Sequence, residues 1–224
     1  MFRETCVKCR RPVDSCLCPH DAPMATRTRI VLLMHPMEWR RTKCATGRLT
    51  CLNLSNSEII PGLEFDGNPR VRALIDNPAN YCVLLYPGES AIDLSEGTFP
   101  TDLLGDRVLV VFLVDATWAC SRKVLALSPG LLTLPRVMFT PGSPSRFYIK
   151  HQPHAWCLST LEATHQLLLS LEAAGLDTYP DKMRLPAVFE AMQEYQVKRM
   201  TADRRPRFFN SSAPGKPGVP SSDR

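Results

Sequence analysis

Residues 110–123 read VVFLVDATWACSRK, and this stretch decides the fold. The apolar run 108–114 stops at Asp115, and Ala, Thr and Trp separate that acid from a cationic segment. A short apolar run bounded by polar residues is typical of a strand buried on both faces of a parallel sheet. Two interpretations of Asp115 follow: it belongs to a capped helix start, or it is a catalytic acid at the edge of the sheet.

Strand-like and helix-like segments alternate through residues 27–200. Strands are predicted in RIVLLMHP (29–36), YCVLLYP (81–87) and RVLVVFLVDATW (107–118), with shorter candidates in RVMFT (136–140) and SRFYIK (145–150). Helices are predicted in KCATGRLTCLNLS (43–55), PRVRALIDN (69–77), ACSRKVLALSP (119–129) and STLEATHQLLLSLEAAG (159–175), and from Pro186 to Met200. This alternation predicts an α/β fold in which a mostly parallel sheet is covered by helices on both faces.

The clearest helix is the one in residues 159–175. Ser159 and Glu162 have the spacing of a capping box, and Gly175 stands where a left-handed residue ends a helix. Ligands of a parallel sheet gather at the carboxyl ends of its strands. Because Asp115 lies at such an end, this position favours the catalytic interpretation.

Length and composition predict one α/β domain with a small appendage. The 224 residues divide into a cysteine-rich segment at 1–26, a core domain at 27–200 and a tail at 201–224 that is rich in Pro, Ser, Gly and Arg and is expected to be disordered. The apolar run 108–114 is too short to span a bilayer, and the N-terminus has no apolar signal segment. We therefore expect a soluble, cytoplasmic protein that does not contact a membrane.

The net charge of +5 is unevenly distributed along the chain. Residues 3–48 carry ten basic and four acidic residues and residues 198–224 carry seven and two, whereas residues 49–197 have a net charge of −6. Basic ends that flank an acidic core suit contact with a polyanion, and the alternative is that these ends are merely solvated. The tail adds aromatic residues able to stack on bases, and its candidate contacts are Arg204, Arg205, Arg207, Phe208 and Phe209.

Cys6, Cys9, Cys16 and Cys18 form the pattern C-x2-C-x6-C-x-C. Four thiolates within 13 residues match a tetrahedral Zn²⁺ site, and the neighbouring Lys8, Arg10 and Arg11 would offset the charge of the thiolates. The alternatives are two disulfides or an iron–sulfur cluster. A closed shell of four cysteines leaves no open coordination position, so the predicted zinc ion is structural.

Three further patches are candidates for the strand-end site. MHPMEWRR (34–41) places His35 and Glu38 after a strand, although a turn at Pro36 with an acid at a helix start explains both. LLYPGES (84–90) offers free backbone groups in a Pro-Gly turn, and most such turns are only turns. HAWCLSTLEA (154–163) is a helix start with hydroxyls, which the capping box alone also explains.

Together and in this order, these patches resemble the DTW-domain proteins, the tRNA-uridine aminocarboxypropyltransferases. The family motif D-x-T-W is matched by residues 115–118, and the resemblance includes the four-cysteine knuckle, the HP-x-E patch, the LYP turn and the STLEA helix start. It spans about residues 6–175. One departure lies before STLEA, where the family often has an arginine and this chain offers Lys150 and His151.

The resemblance implies transfer of the 3-amino-3-carboxypropyl group of S-adenosylmethionine to N3 of a tRNA uridine, with release of methylthioadenosine. It also implies a fold similar to the SPOUT methyltransferases, with a C-terminal trefoil knot that binds the cofactor. Two other functions stay open: an S-adenosylmethionine-dependent RNA methyltransferase, and a non-enzymatic zinc-knuckle RNA-binding protein.

Site residues follow from the resemblance and from their positions. Asp115 is expected to accept the N3 proton, or else to orient the uracil or hold the ammonium group of the cofactor. Thr117 fixes that carboxylate or contacts the cofactor, and Trp118 stacks on the uracil or, as we prefer, packs as a core anchor. The expected cofactor wall comprises Leu85, Tyr86, Pro87, Gly88, Leu113, Val114, Leu158, Ser159, Thr160 and Glu162. The expected substrate and tRNA contacts are His35, Glu38, Arg10, Arg11, Arg41, Arg122, Lys123, Arg146 and Lys150.

Overall fold

A computed structural model describes residues 4–18, 21–40, 46–96, 99–150 and 153–202. Its six strands are β1 (Arg29–Met34), β2 (Ser57–Pro61), β3 (Asn80–Leu85), β4 (Ile92–Asp93), β5 (Val108–Asp115) and β6 (Arg136–Met138). Its helices are α1 (Pro36–Arg40), α2 (Thr46–Asn53), α3 (Pro69–Ile75), α4 (Thr101–Leu104), α5 (Trp118–Leu127), α6 (Thr160–Ala173) and α7 (Arg184–Ala202). Within this part of the chain, no helix has the length and apolar character needed to cross a membrane.

The six strands form one all-parallel sheet in the order β2-β1-β5-β3-β6-β4. The predicted α/β class is therefore confirmed. The apolar run of the opening stretch becomes β5, which lies between β1 and β3 at the centre of the sheet. A central strand is covered on both faces, which explains why β5 needs an unbroken run of apolar residues.

Alternation along β5 assigns its side chains to two cores. Leu109, Val111 and Leu113 pack with α2, α6 and α7, whereas Val110 and Phe112 pack with α3 and α5. Since side chains alternate between the faces of a strand, Asp115 shares its face with Leu113. The acid therefore lies on the side of the sheet that α2 and α6 cover.

The start and end of α6 follow the sequence closely. The side chain of Ser159 accepts a hydrogen bond from Glu162 N, and the Glu162 carboxylate accepts one from Ser159 N, so the predicted capping box is present. Gly175, directly after the C-cap residue, has a φ of +72°, a conformation that glycine adopts without steric cost.

Residues 145–150 are a correction to the sequence analysis, because SRFYIK is an irregular segment and not a strand. Phe147 and Ile149 do pack against the core, which gives the segment its strand-like alternation. Its backbone, however, bonds to side chains: the N–H groups of Arg146 and Tyr148 donate to Glu162 and Gln193. The segment is thus a strap that α6 and α7 hold in place.

The N-terminal cysteine segment is attached to the core at several points. The Arg11 guanidinium lies 5.0 Å from the centroid of the Tyr195 ring on α7, and Leu17 packs against the larger core. After the segment, the Asp177 carboxylate accepts hydrogen bonds from the backbone N–H groups of Arg27 and Thr28. The proposed boundary near residue 26 stays a prediction, as does the disordered tail, most of which (203–224) lies outside the described residues.

Candidate active site

Asp115 is a buried carboxyl group at the carboxyl end of β5. It is only 7% exposed, and its Oδ1 accepts a hydrogen bond of 2.6 Å from Thr160 Oγ1 at the start of α6. Burial raises the pKa of Asp115 to about 6, the Thr160 hydrogen bond opposes this rise, and the nearby Glu38 adds to it. A carboxylate with such a pKa is a stronger base than an exposed aspartate and is still ionised at neutral pH.

Gly47 on α2 forms the wall opposite the Asp115 carboxylate. A β-carbon added to Gly47 would lie 2.1 Å from Asp115 Oδ2 and 3.0 Å from the end of the Met34 side chain. Such distances are far below van der Waals contact, so only glycine fits here. The carboxylate is therefore held between α2 on one side and the first turn of α6 on the other.

A small polar pocket of about 190 Å³ opens above Asp115. It combines two carboxyl groups, one ammonium group and several hydroxyls. Its described lining residues are Glu38, Thr46, Asp115, Ala116, Thr117, Trp118, Phe147, Lys150, Pro153, Leu158, Ser159 and Thr160. The carboxylates can accept protons or bind an ammonium group, and Lys150 can bind a carboxylate.

A larger apolar cavity of about 330 Å³ adjoins the polar pocket. The strand ends of β3, β5 and β6 form its floor, and two exposed indoles stand among its walls. Its described lining residues are Leu85, Tyr86, Pro87, Leu113, Val114, Ala116, Trp118, Ser121, Met138, Phe139, Pro141, Trp156, Leu158, Thr160 and Ala163. Ala116, Trp118, Leu158 and Thr160 line both spaces, so a ligand in one can reach a ligand in the other.

The other two defined residues of the D-x-T-W motif, Thr117 and Trp118, lie at the start of α5. Thr117 is the N-cap residue, and its side chain accepts a hydrogen bond of 3.3 Å from Cys120 N. Trp118 is 41% exposed and lines both the polar pocket and the apolar cavity. The preferred prediction that Trp118 packs as a core anchor was therefore wrong, because its side chain is exposed and lines both spaces.

The expected cofactor wall is largely brought together. Leu85, Tyr86, Pro87, Leu113 and Val114 line the apolar cavity, Leu158 and Thr160 line both spaces, and Ser159 lines the polar pocket. Glu162 instead completes the capping box and also accepts hydrogen bonds from Ser145 Oγ and Arg146 N. Gly88 packs against the Arg136 guanidinium, so that a β-carbon there would lie 2.4 Å from an Arg136 nitrogen. Glu162 and Gly88 are therefore not among the described lining residues of either space, and each supports a wall through its contacts.

The HP-x-E patch divides between two roles. His35 is buried, its Nδ1 accepts a hydrogen bond from Met37 N, and its backbone oxygen accepts from Glu38 N and Trp39 N. His35 therefore holds the start of α1 and does not line the polar pocket. Glu38, three residues later, does line it.

The predicted cations also separate by position. Lys150 lines the polar pocket, whereas Arg122, Lys123 and Arg146 are exposed outside both described linings. Arg10 is exposed, and Arg41 lies outside the described residues. Arg11 is a correction: it is only 3% exposed, and its Nε donates to Ser15 O, so it holds the cysteine segment together and does not face a substrate.

Several lining residues escaped the sequence analysis. Trp156 lies within HAWCLSTLEA, where the hydroxyls at the helix start are the feature that indicates a site. Met138, Phe139 and Pro141 follow β6 at the strand-end edge, so their position along a predicted strand was the signal that could have found them. Thr46 and Gly47 carried no such signal, since their side of the pocket is created by the packing of α2.

The four N-terminal cysteines converge on one point. Their sulfur atoms all lie within 4.8 Å of one another, with Cys6 Sγ 3.6 Å from Cys18 Sγ and Cys9 Sγ 3.7 Å from Cys16 Sγ. A tetrahedral zinc ion with Zn–S bonds of about 2.3 Å would place its sulfurs roughly 3.8 Å apart. The backbone N–H groups of Cys9 and Lys8 lower the pKa of Cys6 to about 6, which favours its thiolate form, whereas burial raises the pKa of Cys18. The cluster can thus hold a metal ion.

The comparisons with known proteins agree with one another. The DTW domain family matches residues 3–197. The tRNA-uridine aminocarboxypropyltransferase 2 of Drosophila melanogaster is 33% identical over 178 residues, which cover 76% of this chain and 68% of the relative. Proteins of the same name from Mus musculus and Macaca fascicularis are 28% and 25% identical over 76% of this chain, and the match covers 57% of each relative. No solved structure gives a significant match. Because the family match spans most of the chain, as the D-x-T-W motif and its companion patches predicted, the chain belongs to the DTW domain family.

Proposed function

We propose that this chain transfers the 3-amino-3-carboxypropyl group of S-adenosylmethionine to N3 of a uridine in tRNA and releases methylthioadenosine. The observation that carries the proposal is the pairing of a polar pocket around Asp115 with an adjoining apolar cavity. The names of the relatives from fly, mouse and macaque support the same reaction class.

The two spaces suit the two halves of the reaction. The apolar cavity, with the exposed indoles of Trp118 and Trp156 among its walls, suits the adenine ring of the donor and the methylthioadenosine that the reaction leaves. The polar pocket suits the uracil and the charged end of the transferred group. In this arrangement Lys150 binds the carboxylate of that group and Glu38 its ammonium.

Asp115 serves as the base. A bond forms between uridine N3 and the side-chain carbon of the donor while the bond from that carbon to the sulfonium breaks, and sulfur leaves as a neutral thioether. The N3 proton passes to the Asp115 carboxylate, whose pKa of about 6 leaves it ionised at neutral pH yet more basic than an exposed aspartate. Thr160 keeps the carboxylate in one orientation through its hydrogen bond.

We also propose the SPOUT-like knotted fold and a zinc ion in the cysteine cluster. After β6 the chain returns to the carboxyl end of β5, where Thr160 hydrogen-bonds to Asp115. The helix α6 then begins on the face of the sheet opposite α5. This path supports the knotted fold. Zinc is supported by a donor set of four thiols at tetrahedral spacing. The zinc then acts on folding and RNA contact, since four sulfurs complete its shell.

The test is a reaction of the purified protein with S-adenosylmethionine and unmodified tRNA, followed by mass spectrometry of the nucleosides and of the small-molecule product. We expect aminocarboxypropyluridine together with methylthioadenosine. A methylated nucleoside with S-adenosylhomocysteine would replace the proposal by an RNA methyltransferase. Binding of tRNA without any modified nucleoside or bound S-adenosylmethionine would replace it by an RNA-binding module.

A further inference from the structure

Two arginines lie over one tryptophan ring beside the polar pocket. The guanidinium carbons of Arg10 and Arg48 are 4.7 and 4.6 Å from the centroid of the Trp39 ring, and this group is the Arg10–Trp39–Arg48 stack. Each of the two helical members directly follows a residue at the site. Trp39 follows Glu38, which lines the polar pocket, and Arg48 follows Gly47, which contacts the Asp115 carboxylate.

The stack carries positive charge without a carboxylate partner among the described residues. Arg48 is only 6% exposed, one of its terminal nitrogens donates to Trp39 O, and its Nε is buried without a hydrogen-bond partner. Two guanidiniums gathered on one indole, with no carboxylate partner among the described residues, are an arrangement that an external anion stabilises.

Arg10 also occupies an unfavourable backbone conformation. Its φ of 57° lies in the left-handed region, which is less favourable for a residue with a side chain than for glycine. The turn itself, closed by a hydrogen bond from Arg10 N to Cys6 O, would be satisfied by glycine. The position therefore sacrifices some stability to present a guanidinium over Trp39.

We propose that the Arg10–Trp39–Arg48 stack binds a backbone phosphate of the RNA next to the target uridine. Stacking on the indole fixes the plane of the Arg10 guanidinium and leaves its N–H edge free for the paired hydrogen bonds that a phosphate accepts. Arg10 contacts the phosphate, whereas the buried Arg48 is a positioning residue that holds Trp39. The stack would offset the repulsion between RNA and the two carboxylates of the polar pocket, Glu38 and Asp115. This inference rests on the proposed function, because it presumes that RNA is the substrate.

Arg10→Gly is the decisive variant because glycine suits the φ of 57° and the turn should stay folded. Trp39→Leu removes the ring. Arg107→Gln is the matched control: Arg107 is exposed and lies 4.7 Å from the centroid of the Tyr81 ring, but it precedes β5 at the opposite edge of the sheet. Arg10→Gly and Arg107→Gln each remove one positive charge and one arginine–aromatic contact.

Binding of unfractionated tRNA is measured across a series of KCl concentrations, together with thermal midpoint, zinc content and S-adenosylmethionine affinity. We expect Arg10→Gly to weaken tRNA binding roughly tenfold and to lower the slope of log affinity against log salt by about one. Trp39→Leu should act in the same direction. Arg107→Gln should leave the slope unchanged, and all three variants should bind S-adenosylmethionine normally.

Two results would overturn the inference. An equal loss of slope in Arg107→Gln would show a general effect of net charge. A normal slope in Arg10→Gly, with lost metal or a lower thermal midpoint, would show that Arg10 serves only the cysteine cluster. Neither result bears on the reaction itself, which product analysis of the wild-type protein decides separately.

Discussion

The α-carbon of Gly47 faces the Asp115 carboxylate at a distance that admits no side chain, since a methyl group there would lie 2.1 Å from Asp115 Oδ2. Gly47→Ala should therefore displace the carboxylate or push α2 away from β5. If Asp115 is the base, as proposed, a misplacement by about 1 Å is expected to lower turnover on the order of 100-fold. Gly142→Ala is the control, because nothing lies within 4 Å of a β-carbon added there. Normal turnover by Gly47→Ala, measured as aminocarboxypropyluridine formed, would show that the position of Asp115 is unimportant.

Asp115→Asn should abolish turnover yet raise stability at neutral pH. The folded-state pKa of about 6 exceeds the ordinary 3.8, so the folded protein binds more protons between these values and its free energy of unfolding falls as pH rises through this window. Above the window the penalty is on the order of 3 kcal/mol. Asparagine removes that penalty and still accepts the Thr160 hydrogen bond. The thermal midpoint of the variant should exceed that of wild type at about pH 8, and the difference should shrink as the pH falls and vanish below both pKa values.

Thr160 should set the acid limb of the pH–rate profile. If the Asp115 carboxylate is the base, kcat/KM should fall below about pH 6, where the acid protonates. The Thr160 hydrogen bond favours the ionised form, so Thr160→Val should move the limb to higher pH, and Thr160→Ser should leave it in place. A limb that does not move in Thr160→Val would assign the titration to another group.

The sheet was predictable from sequence wherever burial is continuous. β1, β3 and β5 were found because each has a run of buried apolar residues, whereas β2 is half-buried at the edge and β4 has two residues. The false strand at 145–150 had the right alternation, but Glu162 and Gln193 hold its backbone in place of a neighbouring strand. Periodicity reports which side chains are buried, and it does not report where the backbone hydrogen bonds go.

The sequence indicated which residues of β5 and α6 belong to the candidate site, but it indicated much less of how these two elements contact each other. Asp115 and Thr160 were both selected, yet their contact joins residues that are 45 positions apart and appears only in the fold. A count of charges could not separate the buried Arg11 from the exposed Arg10, because both follow the same cysteine pair. The Trp118 error has a similar cause, since indoles pack in cores and line pockets with equal chemical ease.

Cys18→Ser should lower zinc content and the thermal midpoint together. Loss of one of four ligands opens the coordination shell, and a structural zinc site contributes directly to folding. Cys120→Ser is the matched control, because Cys120 lies on α5 outside the cluster. Elemental analysis should give about one zinc per chain for wild type and for the control. Stoichiometric iron in the wild-type protein would replace zinc by an iron–sulfur cluster.

Ala163→Leu should block the donor without disturbing the base. Ala163 lines the apolar cavity on the first turns of α6, and leucine favours helices almost as strongly as alanine. The larger side chain fills part of the cavity, so S-adenosylmethionine affinity should fall roughly tenfold or more. One extra contact from the leucine cannot compensate for this loss of space. The salt dependence of tRNA binding should stay the same. An unchanged donor affinity, measured by calorimetry, would place the donor elsewhere.

The strap at 145–150 and the helix start at Ser159 reach the pocket only after β1 to β5 have been synthesised, since the chain emerges from its N-terminus. A ribosome that has released β1 to β5 has already exposed an apolar strand-end edge, but the walls that Phe147, Leu158 and Thr160 supply have not yet arrived. Nascent chains of this length therefore lack α5, α6 and α7 and expose apolar surface that these helices later bury. Under the proposed function, the donor needs walls that α6 supplies, so a nascent chain that ends before α6 gains no protection from its own ligand.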